Sequence, residues 1–140
     1  MRVPHFLRLA QIDEQRFITA CRSGLVHLTW GRATVRLTRD EFRLLGSLLD
    51  QATETSPPAY VRDGLLSLAY RRDEESEFRM GFLIFVLSAA EVRELAAAVR
   101  QAVRHLDEFL ASGTWDRDEA ADDAPSGLWE QLRRNPFSPN

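Results

Sequence analysis

Apolar and polar residues alternate over several short stretches of the chain and recur at helical spacing over two longer ones. From Leu25 to Trp30, Val26, Leu28 and Trp30 fall on one side and His27 and Thr29 on the other. That is the period of a half-buried strand. Gly31-Arg32 is a turn signal, after which Ala33, Val35 and Leu37 alternate with Thr34 and Arg36. Upstream, "HFLRLAQI" (5–12) and "RFITACR" (16–22), separated by "DEQ", predict another hairpin. The spacing changes at Thr38. Phe42, Leu45, Leu48, Leu49 and Ala52 form one helical stripe, so a helix is expected from about Arg39 to about Thr53, ended by "ETSPP" (54–58). A second, longer helix is expected over about Ala89–Ala111, with Val92, Leu95, Val99, Ala102, Leu106 and Phe109 on its stripe and Ser112-Gly113 closing it.

Both helix starts carry the same signal. Thr38 precedes Glu41 by three residues, and Ser88 precedes Glu91 by three. In this capping box the hydroxyl accepts from the third helical N–H, while the glutamate accepts from the cap's own N–H. The match extends further. "VRLTRDEFRLLGSLLDQA" (35–52) lies over "FVLSAAEVRELAAAVRQA" (85–102) at an offset of fifty, with Leu37/Leu87, Glu41/Glu91, Arg43/Arg93, Leu45/Leu95, Gln51/Gln101 and Ala52/Ala102 identical. "GLVHLTWGR" (24–32) also matches "GLLSLAYRR" (64–72), at an offset of forty. The two offsets are reconciled by placing the extra residues in "RRDEESEFRMG" (71–81), read as a polar hairpin tip.

These elements predict an α+β fold in which duplicated ββα units form an antiparallel sheet with two helices on one face, plus an N-terminal hairpin and a C-terminal docking tail. Residues 1–113 form the duplicated domain, with repeat 1 at about 22–53 and repeat 2 at about 62–112. Residues 114–125, acidic with Pro125 near the end, read as a linker, and 126–140 as a docking segment.

The face of the sheet away from the helices carries the functional expectation. In the early strands it is polar and partly basic. In the last strand, with Leu83, Phe85 and Leu87 toward the helices, Phe82, Ile84 and Val86 point away. An apolar outer face of this kind marks an interface. Either the C-terminal segment or a second copy is expected to cover it. Phe82, Ile84, Val86, Trp115, Leu128, Trp129, Leu132 and Phe137 are therefore the candidate protein-interface residues.

Composition narrows the chemistry. The 44% hydrophobic and 28% charged fractions suit one globular domain. No apolar run approaches the roughly 20 residues of a membrane span. The N-terminus lacks a sustained apolar core and a cleavage site, and Cys21 has no intrachain partner. A cytoplasmic location is expected. All 18 basic side chains are arginine, which removes every lysine-dependent chemistry. His5, His27 and His105 stand in no metal-ligand spacing, so neither metal nor cofactor is expected. His105 is read as complementing the dipole at the helix end. Cys21 and His27 are more readily a strand cysteine and a face histidine than a nucleophile and its base. The carboxylates at 73–75 and 118–123 read as solvated. No catalytic constellation emerges. The leading expectation is a non-catalytic interaction or accessory subunit, homodimeric or part of a larger complex; a small enzyme of unknown class ranks third.

Between these lies a resemblance. The first unit with its preceding hairpin gives four strands and a helix, and "LTRDEFRLL" (37–45) opens that helix. This resembles the ββββα unit of the Whirly and Pur families and of the single-strand-binding transcriptional coactivator with a similar unit. The likeness covers about residues 5–52, with a truncated echo over 59–105. It implies a dimer whose sheet faces present aromatic and basic residues to single-stranded DNA or RNA. Here Arg8, Arg22, His27 and Arg36 would make those contacts.

Overall fold

The computed structural model describes residues 6–113 of the 140-residue chain. The α+β class and the internal duplication are both present: the chain is two successive ββββα units. The first runs β1 (Phe6–Gln11), β2 (Arg16–Cys21), β3 (Val26–Trp30), β4 (Ala33–Leu37) and α1 (Arg39–Glu54). The second runs β5 (Ala59–Asp63), β6 (Leu66–Tyr70), β7 (Ser76–Met80), β8 (Leu83–Leu87) and α2 (Ala89–Ala111). Each set of four strands is an antiparallel meander in sequence order.

Three details differ from the sequence expectation. The strands make two sheets rather than one shared sheet. The N-terminal hairpin belongs to the first sheet, since β2 pairs with β3. The second unit also has four strands, because "RRDEESEFRMG" contains β7 and is not a hairpin tip. A single offset of fifty then relates the units from β2 onward, and the equivalent of Gly31 is Gly81. Both glycines sit at positive φ, 66° and 63°, in the two tight turns β3–β4 and β7–β8. Only glycine adopts that conformation without steric cost. The match of 24–32 to 64–72 lays β3 over β6, one strand out of step.

The helices begin where the capping boxes place them. Glu41 N donates to Thr38 Oγ1 and Thr38 N to Glu41 Oε1; Ser88 and Glu91 do the same. Each cap contributes about 1 kcal/mol. The predicted stripe of α1 is wholly buried, as is that of α2 apart from the half-buried Phe109.

Each helix packs mainly on the other unit's sheet. α1 lies against β5 and β6, α2 against β1 and β2, and the two helices pack against one another. Arg43 Nη2 donates to Asp107 at 2.6 Å and Arg100 Nη2 to Asp50 at 2.7 Å, so the helices run antiparallel. Asp50 and Arg100 are equivalent positions of the two units, so their contact lies on the pseudo-twofold axis. Where the helices approach, Gly46 is small enough that an added Cβ would stand 3.4 Å from Val99 Cγ1. The inner sheet faces meet in an apolar crevice between Leu28 and Trp30 on one side and Phe78, Met80, Phe85 and Leu87 on the other. All of this forms one continuous core.

Candidate functional site

The outer faces of the two sheets are left uncovered by the helices, and they have diverged. On the first sheet, register places Arg8 opposite Thr19, Thr19 opposite His27, and His27 opposite Arg36. These four side chains form one row across all four strands, spanning roughly 14 Å at ordinary strand spacing. The adjacent row is Gln11, Phe17, Thr29 and Thr34. No carboxylate stands in either row.

The irregular end of β1 helps to set this face. A bulge between Arg8 and Ala10 turns both Leu9 and Ala10 inward, where they are 1% and 5% exposed. Arg8 remains outside, with its guanidinium 4.7 Å from the centre of the Phe17 ring. That contact holds an arginine head and an aromatic face together at the surface. At the other end, exposed Phe6 meets the His27 ring edge-on at 6.0 Å. Thr29 and Thr34 share a hydrogen bond of 3.0 Å.

Burial lowers the pKa of His27 below its ordinary value of 6.5, and the neighbouring Arg36 charge lowers it further. The imidazole is therefore neutral in the folded protein where the unfolded chain already takes up a proton. Stability on this account rises with pH through the range just below 6.5 and falls as the unfolded chain protonates. His27→Gln is expected to flatten the dependence of Tm on pH between about pH 5 and 7, measured by circular dichroism. An unchanged slope would remove His27 as its source.

The second sheet presents a different surface. Its outer side is a trough of about 500 Å³ lined by Tyr60, Arg62, Ser67, Ala69, Arg71 and Arg79, among others. Ser67 and Ala69 occupy the positions of Phe17 and Thr19, and these small side chains deepen the floor. On this sheet Arg79 lies 3.5 Å from Glu77, and Arg71 3.6 Å from Glu74. The position of His27 is taken by Glu77, and those of Thr34 and Arg36 by Ile84 and Val86.

Three of the four expected nucleic-acid contacts, Arg8, His27 and Arg36, thus stand in one row. Arg22 does not: it is half-buried in the β2–β3 turn. Phe6 and Phe17 join this face beyond the expected residues, and alternation in "RFITACR" sets Phe17 on the same side as Thr19. Ile84 and Val86 are 51% and 54% exposed on the outer side of β8, and Phe82 is 59% exposed in the preceding turn. Trp115, Leu128, Trp129, Leu132 and Phe137 lie outside the described residues.

The other chemical candidates resolve into structural roles. Cys21 Sγ lies 2.8 Å from Ser23 Oγ, and register puts Thr19, not Cys21, opposite His27. His105 Nδ1 bonds the Leu9 carbonyl at 2.9 Å, so it fastens α2 to β1 instead of serving the helix dipole alone. Among the described residues no cluster of His, Cys, Asp and Glu is placed to hold a metal ion, and no helix is long and apolar enough to cross a membrane. Compared with known proteins, the chain matches no family model, no curated protein and no solved structure.

Proposed function

We propose that the protein is a non-catalytic binding module that holds single-stranded DNA or RNA against the outer face of its first sheet. The observation that carries this reading is the row Arg8–Thr19–His27–Arg36, flanked by Phe17 and Phe6 and free of carboxylates. Phosphates pair with the arginines, threonine hydroxyls and the imidazole donate hydrogen bonds, and bases stack on the phenylalanines. The net charge of −3 does not oppose it, because electrostatic attraction depends on local field, and neither outer row of the first sheet contains an acidic residue. The resemblance to Whirly and Pur repeats points the same way.

The test is fluorescence anisotropy with a labelled single-stranded oligonucleotide, titrated between about 50 and 200 mM salt. Binding should weaken with a log–log slope of about −0.7 per phosphate contacted, and Arg8→Ala and Arg36→Ala should each reduce that slope by about one contact. Phe17→Ala should cost about 1–3 kcal/mol of affinity. No binding at the lowest salt, or binding indifferent to Arg8 and Arg36, overturns the reading. A second reading, an accessory subunit held to protein, draws on another surface: the apolar side chains of β8 and the turn before it.

A further inference from the structure

Among the described residues the two sheets end in four strand edges, belonging to β1, β4, β5 and β8. Three are protected against pairing with another strand. β1 is bulged and carries Arg8, β4 carries Arg36, and β5 ends in Arg62-Asp63. Bulges and charges of this kind are how sheet edges are kept from joining one another. β8 has neither: its sequence is LIFVL, and no charged residue occurs from Met80 to Ala90. The duplication supplies an internal comparison, since β4 and β8 are equivalent strands and the outward pair Thr34/Arg36 of one is Ile84/Val86 in the other.

The backbone of β8 is positioned to pair. The two-residue turn Gly81-Phe82 makes Met80 and Leu83 a hydrogen-bonded pair with β7. Alternation then directs the N–H and C=O of Phe85 and Leu87 to β7, and those of Ile84 and Val86 to the free edge. We propose that β8 pairs antiparallel with β8 of a second copy of this chain about a twofold axis at Phe85, joining two four-stranded sheets into one. Ile84 then exchanges backbone hydrogen bonds with Val86 of the partner subunit. Their side chains form a continuous apolar stripe on the outer face, rimmed by Arg79 and Glu77. A second copy suits this edge because a neutral strand meets itself without repulsion. The same pairing of β4 would bring Arg36 within a diagonal of its own copy.

This inference rests on the protein-contact reading and needs no nucleic acid. It is tested on the purified full-length chain by hydrogen exchange at the Ile84 and Val86 amides, read beside sedimentation over a range of concentrations. Protection that appears as dimer forms is the expected result. Protection in a monomer at every concentration would place a segment of the same chain on the edge and overturn the proposal. Unprotected amides at tens of micromolar would overturn it while leaving a different protein partner as the reading of this surface. Ile84→Arg should weaken self-association on the order of 100-fold, by setting an unpaired charge in the junction, with cooperative melting retained. Val86→Glu should act likewise, and I84R with V86E in one chain should recover the dimer, because the two positions face each other across the axis. Persistent dimerisation of I84R overturns the pairing, and failure of the double variant overturns its register.

Discussion

Residues 1–56, produced without the rest of the chain, are expected not to fold as a monomer, and residues 57–140 are expected to behave in the same way. Each fragment keeps a complete ββββα unit, so local sequence alone would predict two independent folds. The packing predicts otherwise. The β1–β2 part of the first sheet's inner face, with Leu9, Ile18 and Ala20 almost fully buried, lies under α2 of the second unit. The β5–β6 part of the second sheet's inner face, with Leu66 and Leu68 fully buried, lies in turn under α1. Cutting between the units removes from each sheet the helix that covers it, and units this small have little burial to spare. Mixing the fragments should restore a folded one-to-one complex, seen as dispersed amide signals and a cooperative melt absent from either part. A sharp melt from either isolated monomeric fragment would refute the exchanged arrangement.

Phe42→Ala should destabilise the whole domain by about 3–5 kcal/mol, a large share of the roughly 5–15 kcal/mol typical of such a protein. Phe42 is completely buried on α1, at the position equivalent to the equally buried Val92 on α2. Truncation leaves a cavity at the centre of a core shared by both sheets, and the surrounding strands are held by two ladders that cannot collapse into it independently. Denaturant unfolding should show a lower midpoint and a single transition. Two transitions would mean that the sheets unfold separately. The contrast is Arg43→Ala. It breaks the pair with Asp107 on the same helix, but both side chains are about half exposed and such pairs contribute no more than about 1 kcal/mol.

Parts of this architecture were plain in the sequence and parts were not. The helices were legible nearly to the residue because their signals are local: a hydroxyl, a glutamate three positions on, and a stripe. The second unit was harder. β7 reads SEFRM, and only Phe78 and Met80 advertise a buried face. Its first residue, Ser76, is fully buried, and its hydroxyl satisfies the Arg71 N–H at 2.8 Å, a contact no pattern announces. The false match between 24–32 and 64–72 has a physical cause as well. Strand alternation repeats every two residues, so offsets of forty and fifty both lay inward residues over inward residues. Positive-φ turn glycines do not separate them either, since Gly24 and Gly64 agree at forty as Gly31 and Gly81 do at fifty; the matched capping boxes, Thr38/Glu41 and Ser88/Glu91, decide for fifty.

The candidate site divides in the same way. Alternation alone set His27 and Arg36 on a common outer face, and it marked Ile84 and Val86 as outward. It did not set Arg8 in line with them, since the bulge at Arg8/Ala10 intervenes and the row exists only through the register of three strand pairs. The sequence by itself determined the α+β class, the duplication, the two helices with their caps, and the inward or outward sense of most strand residues. The tertiary structure decided that the strands form two sheets, that each helix covers the other unit's sheet, and that Arg8, His27 and Arg36 align. The reason is that a short-range pattern states whether a side chain must be buried, whereas the surface that buries it lies tens of residues away in the chain.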